Sequence, residues 1–316
     1  MAQKKSSKTV VRILFFVFLA LFIFSGIMLI RSLSEYKKEN KEQSRLEDDF
    51  LIFNEPDWDT TEPPTDPYFT MATTAGTLPN AETTAPVQTD AADGTTASAP
   101  PPFSGSPVST EASAPETTAY TPATLPKELW PTFSVNWDAL FKRNPDVIGW
   151  IWMYDSVISY PVLLGEDNNE YLYTTLDGEY AKFGSIFADY RTSADFSDRN
   201  TIIYGHNGGY GVKFGGLMNY QLKSHWENHR YICIMTPSGL TKYYIYSAYI
   251  TKSQGNPYKT VFYTDADYQE FIDKTVADSM YQTGVAPTVA DRILTLSTCT
   301  NNADDERMIV HAIRVN

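Results

Sequence analysis

Three side chains in this sequence suit nucleophilic chemistry: a cysteine, a histidine and an arginine, each beside a β-type run. Cys299 closes "RILTLSTC", where Ile293, Leu294 and Leu296 are set among Thr295, Ser297 and Thr298. The run breaks at Asn301, Asn302 and Asp304 and an apolar stretch resumes at Met308, a pattern of strand, turn, strand. Arg307 opens the second strand, eight residues after the cysteine. His206 lies in "NTIIYGHNGGYG", just past another strand and before a glycine-rich turn, where a ring can face a surface cleft. A thiolate is a strong nucleophile, and a nearby imidazole can supply or hold its proton. An arginine across one turn can hold the oxyanion that forms when a carbonyl is attacked. The residues alone leave a second reading open, because free cysteines are among the most often buried residue types.

The other cysteine and histidines offer less. Cys233, in the alternating "RYICIM", reads as an inert core thiol. A Cys233–Cys299 disulfide is the alternative that an extracellular compartment permits, and it would block any thiol chemistry. His225 and His229 in "SHWENH" are four apart and could share a helix face as metal ligands. Their order is not His-Glu-x-x-His and no third ligand is evident, so neither a metal nor a cofactor is expected. His311, inside the last strand, reads as structural.

The elements that must position these residues are short. "NWDALFKRNPDV" predicts a helix capped at Asn136 and stopped before Pro145. Eight β-type runs follow: "IGWIWM", "ISYPVL", "GSIFAD", "NTIIYG", "RYICIM", "LTKYYIYSAYITK", "RILTLST" and "RMIVHAIRV". Without regularly alternating helices they predict a mainly β, closed eight-stranded barrel rather than a doubly wound sheet. One helix interrupts the series before the cysteine-bearing strand, in "TDADYQEFIDKTVADSMY". Thr264 and Asp267 form its capping box, and Tyr268, Phe271, Ile272, Thr275 and Val276 make one face.

Ahead of that domain the composition changes twice. Residues 13–30, "ILFFVFLALFIFSGIMLI", carry no charge, and as a helix they span roughly 27 Å, about a bilayer's hydrocarbon core. Lys4, Lys5, Lys8 and Arg12 precede them, which places residues 1–12 in the cytoplasm as a tail. No small-x-small cleavage site follows, so an uncleaved, single-pass signal anchor is expected, with the rest of the chain outside the cell. From Leu46 to Pro126 there is no Lys or Arg but there are thirteen Asp and Glu, which matches the whole formal net charge of −13. The acidity therefore belongs to a linker, and no basic patch points to nucleic acid. Residues 31–129 read as a juxtamembrane segment and a Thr/Pro/Ala-rich, acidic, disordered stalk that gives reach. The folded domain is expected over 130–316.

"TLSTC" with an arginine eight residues on, and "YGH" upstream, resemble the signature of sortases, the membrane-anchored transpeptidases of Gram-positive surfaces. "NPDVIGWIWM", "ISYPVLLGEDNNEYL", "GSIFADYR", "RNTIIYGHN" and "ILTLSTC" are similar to the class B subfamily in order and spacing, over most of residues 135–316. The late helix fits class B too. This resemblance implies that Cys299 attacks the Thr–Gly or Thr–Asn type bond of a C-terminal sorting signal. His206 would serve the leaving amine, Arg307 the oxyanion, and a peptidoglycan-precursor amine would resolve the thioacyl enzyme. It also implies that Asn168 and Leu172 of "DNNEYL", Tyr204, Ser297 and Thr298 line the substrate groove. The implied partners are surface proteins with a sorting signal, a lipid-linked peptidoglycan precursor and the membrane. Alternatives are a pilin-polymerising sortase, a peptidase that passes the acyl group to water, and an idle sortase-fold binding module.

Overall fold

Every one of the eight β-type runs forms a strand, and the strands close on one another. The computed structural model describes residues 3–53, 65–66, 123–124, 130–303 and 305–315. In chain order the elements begin with helix α1 (Gln3–Phe50) and strand β1 (Leu51–Ile52). The small strands β2 (Thr65–Asp66) and β3 (Ala123–Thr124) pair with each other, and β4 (Ser134–Val135) precedes helix α2 (Trp137–Arg143). The barrel strands are β5 (Val147–Trp152), β6 (Ser159–Leu164), β7 (Ile186–Ala188), β8 (Asn200–Tyr204), β9 (Tyr231–Thr236), β10 (Gly239–Lys252), β11 (Ile293–Cys299) and β12 (Glu306–Arg314). Helix α3 (Lys223–Trp226) lies between β8 and β9, and α4 (Asp265–Ala277) between β10 and β11. The closed order is β10-β12-β11-β8-β7-β6-β5-β9, in which β8–β11 and β6–β7 are parallel and the other pairs antiparallel.

Barrel strands are buried on both faces, which explains their long apolar runs. Ile151, Ile203, Ile245, Leu296 and Val310 fill the interior. Trp150, Leu163, Phe187 and Met235 form a second cluster with Leu140 of α2 and with Leu46 and Phe50 of α1. The predicted caps form as expected: Asn136 Oδ1 accepts from the Ala139 N–H at 3.2 Å, and Thr264 Oγ1 from the Asp267 N–H at 3.1 Å. Tyr268, Phe271, Ile272 and Thr275 of α4 are buried, and Val276 packs at the edge of the same core.

Helix α1 departs from the sequence reading. Its segment from Val11 onward holds a stretch long and apolar enough to cross a membrane, none of it buried in the protein. Residues 31–50, expected to belong to the juxtamembrane segment and stalk, continue the same helix, and its last turns dock on the barrel. Leu46 and Phe50 are buried, and Gln43 accepts from the Tyr160 hydroxyl at 2.8 Å while donating to the Val157 carbonyl at 2.7 Å. Directly afterwards β1 pairs antiparallel with β4, Leu51 opposite Val135 and Ile52 opposite Ser134. The charges of "YKKENKEQSRLEDDF" hide this face from a periodicity reading, because apolar contacts come only at its end. Of the juxtamembrane segment and Thr/Pro/Ala-rich stalk expected at 31–129, residues 54–129 lie outside the described residues apart from β2 and β3.

His311 is fully buried, with Nδ1 against the Thr295 hydroxyl at 2.8 Å and Nε2 against that of Tyr249 at 3.0 Å. Burial drives its pKa down to about 3, so the folded protein keeps the ring neutral. An unfolded histidine titrates near 6.5, so between roughly pH 6.5 and 3 the unfolded chain binds the extra proton. This group's contribution to stability is therefore complete above about pH 6.5 and falls by up to about 1.4 kcal/mol per pH unit below it. Chemical denaturation from pH 7 to 4 should show that decline, and His311→Gln should flatten it. Equal slopes in the two proteins would refute the assignment.

Candidate active site

The ends of β8, β11 and β12 meet at one mouth of the barrel, beside a cavity of about 550 Å³. All eight residues picked out in the sequence line it: Asn168, Leu172, Tyr204, His206, Ser297, Thr298, Cys299 and Arg307. Cys299 ends β11 and Arg307 stands opposite it on β12. Directly opposed residues of an antiparallel pair hold their Cβ atoms about 5 Å apart, so thiol and guanidinium share one face. On the other side β8 runs parallel to β11, with Tyr204 in register with Ser297. The Gly205 N–H donates to the Ser297 carbonyl at 3.2 Å, which carries the chain past the strand end and delivers His206. Asn207 Nδ2 then donates to the Cys299 carbonyl at 2.9 Å, and Asn301 Nδ2 to the Asn207 carbonyl at 3.1 Å. The histidine loop and the cysteine strand are thus fastened to each other.

His206 is held against aromatic rings, with Tyr173 at 5.3 Å and Phe183 at 6.2 Å between centroids. Burial lowers its pKa and the Lys213 and Arg307 charges push the same way, while a hydrogen bond to the Phe183 backbone opposes them. This environment favours the neutral ring. Its Nδ1 is buried without a hydrogen-bond partner among the described residues. Cys299 is half-buried and its thiol is free. Cys233 is also free, but burial pushes its thiol up to about 12, so it is an inert core group and not a disulfide partner. His225 and His229 stack at 4.0 Å, with His229 Nε2 3.6 Å from Asp155; both lie outside the cavity that holds Cys299.

Three lining residues, Asn168, Arg191 and Tyr204, converge on Asp189, which sequence reading passed over. This carboxylate is fully buried and accepts from Arg191 Nε at 2.7 Å and Nη2 at 2.8 Å, from the Tyr204 hydroxyl at 2.8 Å and from Asn168 Nδ2 at 3.0 Å. Burial alone would raise its pKa; Arg191 and the other donors outweigh that and hold it below the usual carboxylate range. Asn168 and Tyr204 therefore reach the cavity wall with their polar atoms already engaged. Tyr258, also unpredicted, stacks on Tyr204 at 6.2 Å and shares a 3.0 Å hydrogen bond with Ser297 Oγ. Leu172 is half-buried in the lining, and Thr298 Oγ1 is buried with no hydrogen-bond partner among the described residues. The available signal for Asp189 was an acid closing the apolar run "GSIFAD" two residues before an arginine.

A family profile described as "Sortase domain" matches residues 157–315. Sortase B of Listeria monocytogenes is 38% identical over 175 residues, covering 54% of this chain and 70% of that protein. The chain belongs to the sortase family. Sortase B of Staphylococcus aureus is 39% identical over 162 residues, and this sortase spans 51% of its own length and 66% of that relative's in the match. Among solved structures, an S. aureus sortase B–substrate complex superposes with a TM-score of 0.54 at 37% identity, over 56% of this chain and 83% of that one. Clostridium perfringens sortase B gives 0.54 at 26% identity, over 57% of this chain and 100% of that one. These neighbours place the sortase in class B, with the barrel that its strands predicted. The family is one of cysteine transpeptidases.

Proposed function

We propose that this sortase cleaves a C-terminal sorting signal of surface proteins and joins the acyl part to an amine of a cell-wall peptidoglycan precursor. The observation that carries this reading is that Cys299, His206 and Arg307 line one open cavity. Neutral His206 takes the Sγ proton as sulfur attacks the peptide carbonyl, and Arg307 donates to the oxyanion. Collapse of that intermediate breaks the C–N bond, and His206 returns the proton to the leaving amine. An incoming amine then attacks the thioester, loses a proton to His206, and frees the Cys299 thiol. Asn168, Leu172, Tyr204, Ser297 and Thr298 line the path of the sorting peptide. One sortase B structure is described as a complex with triglycine, which fits an amine-bearing second substrate of this kind. The basic residues before the apolar stretch keep the N-terminus in the cytoplasm and the barrel outside.

The test is mass spectrometry of the intact protein with a small library of Pro-x-Thr-Gly and Pro-x-Thr-Asn peptides. The expected result is an adduct on Cys299 ending at the threonine, discharged when triglycine is added. Absence of any adduct across the library would overturn the reading.

A further inference from the structure

Helix α1 does more than end against the barrel: it inserts a carboxylate beneath the loop that carries His206. Glu39 and Lys213 are both buried, with side chains 2% and 4% exposed, and Lys213 Nζ lies 3.5 Å from Glu39 Oε2. Lys213 is also bound to the active-site loop through its backbone. It bridges Asn207, its N–H donates to the Tyr160 hydroxyl at 3.3 Å, and its φ is +53°. The next residue, Phe214, donates its N–H to the His206 carbonyl at 2.9 Å. Asn207, as described above, holds the Cys299 carbonyl. Two residues of α1 thus bear on this loop, Glu39 through Lys213 and Gln43 through Tyr160.

We propose that Glu39 is a positioning residue of the active site, neutralising buried Lys213 so that the loop from Gly205 to Phe214 holds His206 against Cys299. The proposal rests on the acid–base role given to His206 above. Removing one member of a buried ion pair leaves an uncompensated charge, whereas replacing both by uncharged groups is often nearly neutral. Without Glu39, Lys213 reaches water only by moving the backbone that bridges Asn207, which releases the loop at both catalytic residues. Helix α1 is then part of the catalytic unit rather than a handle for it.

The experiment uses the full chain in detergent micelles, with Glu39→Gln, Lys213→Met and the double variant. Two rates are read: turnover of the peptide identified above, and alkylation of Cys299 by iodoacetamide, which needs no peptide. Glu39→Gln is expected to lower kcat about tenfold with KM within about twofold, the signature of misplaced catalytic groups rather than lost binding. Its alkylation rate should fall about fivefold, since the loop that serves the thiol has moved. The double variant should recover to within about threefold of wild type in both rates. Wild-type rates in Glu39→Gln, or a double variant no better than Glu39→Gln, would overturn the proposal. Thermal melting of each variant separates this from unfolding. Failure of the transpeptidase reading would appear separately, as a wild-type protein that alkylates but turns over no peptide.

Discussion

Cys299→Ala should abolish cleavage of a sorting peptide, by about 10⁴-fold or more, because the proposed reaction has no step that bypasses the sulfur. The same protein should melt within about 2 °C of wild type, since a half-buried thiol at a strand end contributes little packing. The core thiol cannot substitute: Cys233 is fully buried and held protonated. Peptide turnover by fluorescence, beside a thermal melt, reads both arms. Wild-type cleavage in Cys299→Ala would remove the nucleophile assignment, whatever the family.

Arg307→Lys should lose about 100-fold in kcat/KM although the charge is kept. Arg307 stands across from Cys299, and one end of its guanidinium is anchored, Nη1 donating to the Glu306 carbonyl at 3.0 Å. A planar fork held that way keeps a fixed direction, which a flexible ammonium does not. The pH profile separates direction from charge. Arg307 helps to lower the pKa of His206, so Arg307→Ala should raise that pKa and move the acid limb of the pH–rate profile to higher pH. Arg307→Lys should leave the limb near its wild-type position while the rate falls. If Arg307→Lys turns over like wild type, Arg307 does not hold the oxyanion.

The parts of the site written in short contiguous runs were legible. "RILTLSTC" and "NTIIYGH" show both strand ends and the residues they deliver, and β-strand alternation makes their faces predictable. The barrel followed for the same reason, from eight bounded runs and one capped helix. What escaped were features that arise only when distant segments meet. Asp189 reads as a strand-end acid until Arg191, Tyr204 and Asn168 converge on it. Lys213 looks like a loop lysine in "GYGVKFGG", and nothing local says that Glu39, on the far side of the long acidic segment, buries it. Residues 31–50 were missed because charged positions dominate their composition while their few apolar side chains do the docking.

The pairing of β1 with β4 means that the chain departs at Ile52 and comes back at Ser134 in the same place. Whatever lies between those points therefore adds no altitude to the barrel. With the apolar stretch of α1 in a bilayer, elevation is set by the few helical residues between position 31 and the first buried contact at Glu39, roughly 12 Å of helix. The thiol would patrol a thin shell above the lipid instead of sweeping the volume that a long flexible leash would permit.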